Sequence, residues 1–458
     1  MRRIYVTSCR RFLSKFHILL FAVLFLYWNS RIGVLNDELR VRYHHLEAVH
    51  LDCPSILSDI NLATRYAYWN LDSKSYEEEL LSSENICETL DKRFLFEKEP
   101  LSDEEADYPL AYGLLIHKNI IQFLLQLSIF YHPQNAYCIV VDGTASKAFR
   151  KFVMSLPKCF ANVVVFTGKR SQWGTYGILD NVYRCFKHLT LMEHDWKYYQ
   201  YLSGSDLPMR TNLEMVRIMK ALNGSINSEV EEYELNRYHG MEGVHPPVPL
   251  YKSGMSVAIP RVAANYIVRS KKVQTLMNYL YHTFIPDESF WSSVAGNPAL
   301  IQVPGSFKAR EIIWLRKHLN INPAAENTVN SVGTSYIGRY QIWEWQGGCL
   351  GKWRSWSCVF GIMDVPYIIT RPELVVHKMD LNFQPAGFMC LLKEIRRRSH
   401  IASDFDARSY GEMPTVELHG GRSITELTHP DWIVRSSFYR PPPISRDEED
   451  AQKPRNFK

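Results

Sequence analysis

The stretch Leu110-Ala111-Tyr112-Gly113-Leu114-Leu115-Ile116-His117 is an apolar run ending on a polar residue, and its reading decides the fold. Apolar residues at helical spacing follow over 119–128, and Tyr137-Cys138-Ile139-Val140-Val141-Asp142 repeats the design, now ending on an acid. A helix around 147–154 leads to the strand Ala161-Asn162-Val163-Val164-Val165-Phe166. A second helix over 178–191 leads to a strand at 198–202, which runs into Ser203-Gly204-Ser205-Asp206. Strands that read as continuous apolar runs and alternate with helices predict a mostly parallel α/β sheet covered on both faces. Ligands of such sheets bind outside the carboxyl ends of the strands, where His117, Asp142 and the 203–206 turn fall. An acid in the position of Asp142 suits a ribose hydroxyl or a base N–H, and equally an N-cap for the next helix. No P-loop is present, and no G-x-G-x-x-G follows the first strand.

The chain has 458 residues, enough for one large or two ordinary domains. Its net charge of +5 is small for that length, and no long basic block appears, so a nucleic-acid partner is not expected. Towards the N-terminus, Arg2, Arg3, Arg10, Arg11 and Lys15 precede the apolar run 16–28. Basic residues before an apolar span keep the N-terminus cytoplasmic, and no small-x-small cleavage site follows. The expectation is a cytoplasmic tail over 1–15 and an uncleaved signal anchor over 16–34. A stem and lead-in over 35–107 then precede a lumenal domain over 108–395. Beyond 395 weak periodicity and Pro441-Pro442-Pro443 predict a disordered tail over 396–458.

Further along, Tyr251-Lys252-Ser253-Gly254 enters a strand, and a long helix is expected over 262–281. It leads to Phe284-Ile285-Pro286-Asp287-Glu288-Ser289-Phe290-Trp291. Pro286 is shaped for a first helical turn, and acids there meet the positive end of the helix dipole. A short helix carrying Asp287, Glu288 and Trp291 is therefore expected, with a carboxylate at a loop-to-helix corner able to face a cleft. Asn223-Gly224-Ser225 is an N-glycosylation sequon. Nine cysteines contain no C-x-x-C pair and no zinc spacing, so no metal site is expected. Setting aside Cys9, ahead of the apolar run, eight scattered cysteines suggest disulfides in an oxidising lumen, with 105 pairings open.

An ordered set of segments resembles the core-2/I-branching β-1,6-N-acetylglucosaminyltransferases of Golgi membranes. The set comprises Tyr108-Pro109-Leu110-Ala111-Tyr112, Pro133-Gln134-Asn135-Ala136-Tyr137-Cys138-Ile139 and Gly204-Ser205-Asp206-Leu207-Pro208-Met209-Arg210-Thr211-Asn212. It continues with Pro286-Asp287-Glu288-Ser289-Phe290-Trp291, Val303-Pro304-Gly305-Ser306 and Cys358-Val359-Phe360-Gly361. The resemblance implies a metal-independent variant of the GT-A glycosyltransferase fold, stapled by Cys53–Cys390, Cys87–Cys159, Cys138–Cys185 and Cys349–Cys358. It implies inverting transfer from a UDP-sugar to an O-glycan acceptor, with no cofactor. Glu288 matches the catalytic base, and Lys378 with Arg354 matches the cations that meet the leaving diphosphate; Lys352 remains a rival for Arg354. His117, Asp142 and Trp173 match donor positions. Tyr251, Ser253, Gly254, Asp287, Trp343 and Trp345 match acceptor positions. It implies a Golgi membrane location as a single-pass type II protein, with a homodimer left open. Ile178 replaces a donor-site Arg, and the acceptor loop 226–248 departs from the family pattern; Glu232, Glu234 and Arg237 are candidates within it. A β-glucosyl- or xylosyltransferase, or an inactive glycan-binding relative, are the alternatives on the same scaffold.

Overall fold

The structure is a computed structural model. It describes residues 45–238, 241, 243–318, 336–401, 403–430 and 432; the expected tail 1–15, anchor 16–34 and Pro441–Pro443 lie outside these. No helix among the described residues is long and apolar enough to cross a membrane.

The α/β expectation holds. Strands β1 (Leu110–Ile116), β2 (Ala136–Val141), β3 (Val163–Thr167), β4 (Tyr198–Ser203), β5 (Asn227–Ser228) and β6 (Val257–Pro260) form one sheet in the order β3-β2-β1-β4-β6-β5. The first four neighbours run parallel, and the last two pairings are antiparallel. Register sets Ile116 opposite Val141 and Leu115 opposite Ser203, so the carboxyl ends of β1, β2 and β4 finish side by side.

Strand alternation divides the core in two. Tyr112, Leu114, Ile116, Tyr137, Ile139 and Val141 point to one face, against α1 (Ile120–Phe130) and α4 (Asn212–Ala221). Ala111, Ala136, Cys138 and Val140 point to the other, against α3 (Tyr176–Leu191); α2 is Lys147–Val153. All eleven residues of α1 are buried, which explains why it is mostly apolar; its polar members Gln122, Gln126 and Ser128 donate to backbone carbonyls. Gly113 is required where it stands, because a Cβ there would collide with the Tyr199 hydroxyl.

Among the described residues four disulfides are present, and they are the pairs implied by the resemblance: Cys53–Cys390, Cys87–Cys159, Cys138–Cys185 and Cys349–Cys358. Cys138 on β2 meets Cys185 on α3 because both face the second core layer. The lead-in is helical over Ser73–Ser82 and Ile86–Arg93, with Leu80 and Leu90 joining the first layer.

Three expectations are corrected. The long helix over 262–281 is two helices, α5 (Arg261–Arg269) and α6 (Lys271–Leu280). Ser270 divides them, since its side chain accepts from Val273 N and starts a new N-terminus. Pro286 opens only a single 3₁₀ turn, Pro286–Glu288; α7 (Phe290–Ala295) begins after Ser289, which leaves the helical region at φ −139°. The segment after 395 is not a disordered tail where it is described. α8 (Pro385–Ser399) carries past that boundary, and Arg408–Glu412 and Pro414–His419 are helical. Tyr410, Met413 and Trp432 bury their side chains in the first core layer, and the Tyr410 hydroxyl donates to Pro372 O at 2.8 Å.

Candidate active site

The site is built on the sheet's carboxyl edge. Asp142 N donates to Ile116 O at 2.8 Å, which sets Asp142 against the end of β1, beside His117. Burial and then Lys118 lower the His117 pKa, and the Asp142 charge opposes them. The Asp142 carboxylate accepts from Thr144 N at 2.8 Å, from the Thr144 hydroxyl at 2.6 Å, from Asn181 Nδ2 at 3.3 Å and from the Ser171 hydroxyl. Burial works against the charged form, but these donors outweigh it and hold the carboxyl below its usual range. The N-cap alternative for Asp142 is excluded, because Ser146 caps α2.

Ser171 begins the loop that carries Trp173. Trp173 is exposed and meets Phe284 edge-to-face at 5.3 Å. Gly174 O accepts from Ile285 N at 2.9 Å, so this loop ties the donor edge to the 286–288 turn. On that turn Glu288 is half-buried, and Arg237 Nη2 reaches its Oε2 at 2.8 Å. Arg237 is buried and also holds Glu234 at 2.9 Å. Asp287, next to it, is buried with Oδ1 unpaired; burial and then the Glu288 charge push its pKa up to about 7. An acid held near neutrality and shut away from solvent supports the turn, while Glu288 is the carboxylate that faces outward.

The 251–254 stretch is divided. Ser253 N donates to Glu288 O at 2.7 Å, which seats the wall directly on the turn. The Ser253 side chain is itself buried. Tyr251 is corrected: it is buried beside Gly296, its backbone N donates to Ser293 Oγ at 3.0 Å, and it supports the wall without lining it. Gly254 leaves room for Glu229, whose carboxylate a Cβ there would press at 2.9 Å.

The cationic half lies beyond β4. Lys378 Nζ donates to Arg354 O at 2.9 Å, and the Arg354 guanidinium pairs with Asp380 at 2.8 Å. The Lys352 ammonium instead lies over the Phe383 ring at 4.1 Å, while Lys378 Nζ meets Arg354 through the backbone carbonyl of that residue. Burial, then the charges of Arg354, Arg339 and Lys118, lower Lys378 to about 8. The ammonium is therefore charged below that pH and lost above it. On the diphosphate-binding role that the resemblance implies for Lys378, binding of UDP to the free protein is expected to weaken as pH rises through about 8, and Lys378→Arg is expected to flatten the decline; a calorimetric titration over pH 6.5–9.5 checks this, and a flat wild-type profile would refute it.

Sequence reasoning missed the scaffold beneath Lys378. Asp206, at the end of the 203–206 turn, is fully buried; it takes Arg339 Nη2 at 2.8 Å, His377 Nδ1 at 2.8 Å and Ser203 N at 2.6 Å. Gln122 on α1 donates to both Gly204 O and Met379 O, joining that turn to the 377–381 segment. Burial and Arg339 lower His377 to about 4, so its ring is neutral at physiological pH. Asp206 was visible as an acid ending a strand, whereas nothing in the sequence around Arg339 marks it. The segment from Tyr336 to Trp343 crosses from the wall to this half: the Tyr336 hydroxyl donates to Ser256 O, and Arg339 and Tyr340 follow. At its end Trp343 and Trp345 stack with centroids 5.2 Å apart and planes 6° apart.

The remaining predicted positions fall apart from this constellation. Asn223 is exposed on a turn with φ 47°, and the Ser225 hydroxyl of its sequon is buried against Thr415 O. Among the described residues no group of three or more His, Cys, Asp or Glu is placed to hold a metal.

Comparison with known proteins bears on this arrangement. A human beta-1,3-galactosyl-O-glycosyl-glycoprotein beta-1,6-N-acetylglucosaminyltransferase is 28% identical over 342 residues, covering 68% of this chain and 76% of its own. A mouse N-acetyllactosaminide beta-1,6-N-acetylglucosaminyl-transferase is 28% identical over 331 residues, covering 66% and 76%. Among solved structures, a galactosyltransferase in complex with donor and acceptor sugar analogs overlaps 40% of this chain and 69% of its own, at 10% identity and a TM-score of 0.26, too remote to add to the comparison. The family model described as Branch: Core-2/I-Branching enzyme matches residues 110–365, more than half of the sequence. The chain therefore belongs to the core-2/I-branching enzyme family and is a glycosyltransferase.

Proposed function

We propose that the chain transfers N-acetylglucosamine from UDP-GlcNAc to the 6-hydroxyl of a GalNAc-based O-glycan, with inversion and without a metal, as a type II protein of the Golgi membrane. The carrying observation is that one carboxylate, Glu288, is held by Arg237 at the wall 251–254, while Lys378 and Arg354 provide a separate pair of cations. Glu288 takes the proton of the acceptor hydroxyl as that oxygen attacks the anomeric carbon. The bond to UDP breaks on the opposite face, and the negative charge of the departing diphosphate goes to Lys378 and Arg354. A single displacement of this kind inverts the configuration. Charge-assisted hydrogen bonds to such a leaving group are worth about 1.5–3 kcal/mol each, and they act where charge develops. The activities for which the human and mouse relatives are named support the sugar and the linkage.

The test is UDP release by the full-length protein in detergent and EDTA. UDP-GlcNAc, UDP-Glc, UDP-Xyl and UDP-Gal are supplied in turn, each with and without a core-1 disaccharide. Acceptor-dependent release from UDP-GlcNAc alone is expected. Release from UDP-Glc or UDP-Xyl would reassign the donor, and a strict Mn²⁺ requirement would overturn the cation-pair mechanism.

A further inference from the structure

Strands β7 (Lys352–Arg354) and β8 (Ser357–Val359) form a hairpin closed at its base by Cys349–Cys358. Its two-residue tip is Ser355-Trp356, and both have positive φ, 50° and 56°. Tips of this kind ordinarily carry Asn-Gly, because a side chain with a Cβ resists that backbone. Here the second place holds the largest side chain available, and Trp356 is 61% exposed. Trp353 on the same hairpin is exposed as well. The Trp356 indole gains no core burial for its unfavourable backbone.

The hairpin is fixed to the stacked pair described above. Glu344 N donates to Trp356 O at 2.8 Å, and Trp343 bridges Ser357 in antiparallel register. The backbone of the tip is therefore hydrogen-bonded to the residue lying between Trp343 and Trp345. Trp345 is 68% exposed, so three open indoles belong to one rigid unit. The charged side chain of Glu344 follows Trp343 in the chain, and Lys352 and Arg354, already engaged by Phe383 and Asp380, flank Trp353. An apolar protein partner would strip water from those charges, which is costly. A sugar ring instead offers a C–H face to an indole and hydroxyls to the flanking charges.

We infer that Trp356 extends the Trp343–Trp345 platform into a further subsite, which takes a saccharide unit of the acceptor beyond the one being modified. This rests on the transferase reading proposed above and on the acceptor positions that the family resemblance implies for Trp343 and Trp345. Trp356 is then a specificity residue for acceptor size, and it takes no part in the chemistry.

The experiment titrates the full-length protein, saturated with UDP, with a core-1 disaccharide and with the same glycan lengthened by one and by two sugars. Wild type, Trp356→Ala and Trp356→Phe are compared by calorimetry. Wild type is expected to bind the longer glycans more tightly. Trp356→Ala should lose about three- to tenfold in affinity for these, the size of one aromatic contact, while its disaccharide affinity stays unchanged. Trp356→Phe should keep most of the gain. An affinity gain with length that survives Trp356→Ala overturns the subsite and leaves the transferase reading standing. Equal loss on all three glycans overturns it too, since a general disturbance of the hairpin would act that way. No binding of any glycan by wild type overturns both.

Discussion

Glu288→Gln is expected to lower turnover by about 10²–10⁴-fold, the usual worth of a positioned general base, while UDP-sugar affinity stays within a factor of about two by calorimetry. The replacement keeps the shape of the side chain and an oxygen for Arg237 Nη2, now 2.8 Å from Oε2. The Ser253 N to Glu288 O bond uses the backbone and is untouched. The turn should therefore persist, and the loss should fall on proton removal alone. That corresponds to about 2.7–5.4 kcal/mol of barrier. Asp287 cannot substitute, because it is 5% exposed and its burial holds a proton close to neutrality. Single-turnover transfer and donor titration on the same preparation separate the two effects. Turnover within threefold of wild type would remove Glu288 from the role, and parallel loss of donor affinity would make it a structural residue.

The parts of this molecule that the sequence disclosed are those governed by local pattern. β1 and β2 are covered on both faces, so they read as unbroken apolar runs, and their ends marked the working edge of the sheet. The pairing of the cysteines came only with the family resemblance, because spacing leaves it undetermined. What stayed hidden is governed by contacts between distant residues. Arg237 and Glu288 are 51 positions apart, and Asp206 and Arg339 are 133 apart. No window on the sequence holds both members of either pair. The same reason explains the misread C-terminal segment: Tyr410, Met413 and Trp432 are single apolar residues in a polar stretch, too few for a period to stand out, yet all three insert into the first core layer. Ser270 shows the opposite failure. The apolar period continues through it, but its hydroxyl serves a new helix start, which period alone does not reveal.

Asp206→Asn is expected to cost about 3–5 kcal/mol of stability, because it leaves a buried charge without its partner. The Asp206 side chain has no exposure and accepts from Arg339, His377 and Ser203 N; the Arg339 side chain is 8% exposed. With Asn in place, the guanidinium stays in the core beside the Tyr201 ring, and the amide replaces one acceptor by a donor facing other donors. Urea unfolding with disulfides intact measures the loss, and a cost below about 1 kcal/mol would show that the pair does not carry this region. The double variant Asp206→Asn with Arg339→Met should recover much of the deficit, since the stranded charge is gone. Function should not recover with it. In both variants the side chain at 206 keeps a single oxygen, for which His377 Nδ1 and Ser203 N compete, and the next residue is Lys378. UDP affinity should therefore stay low in the double variant even as stability returns. Such a separation would show that the buried Asp206–His377 contact serves the cation beside it, beyond holding the core together.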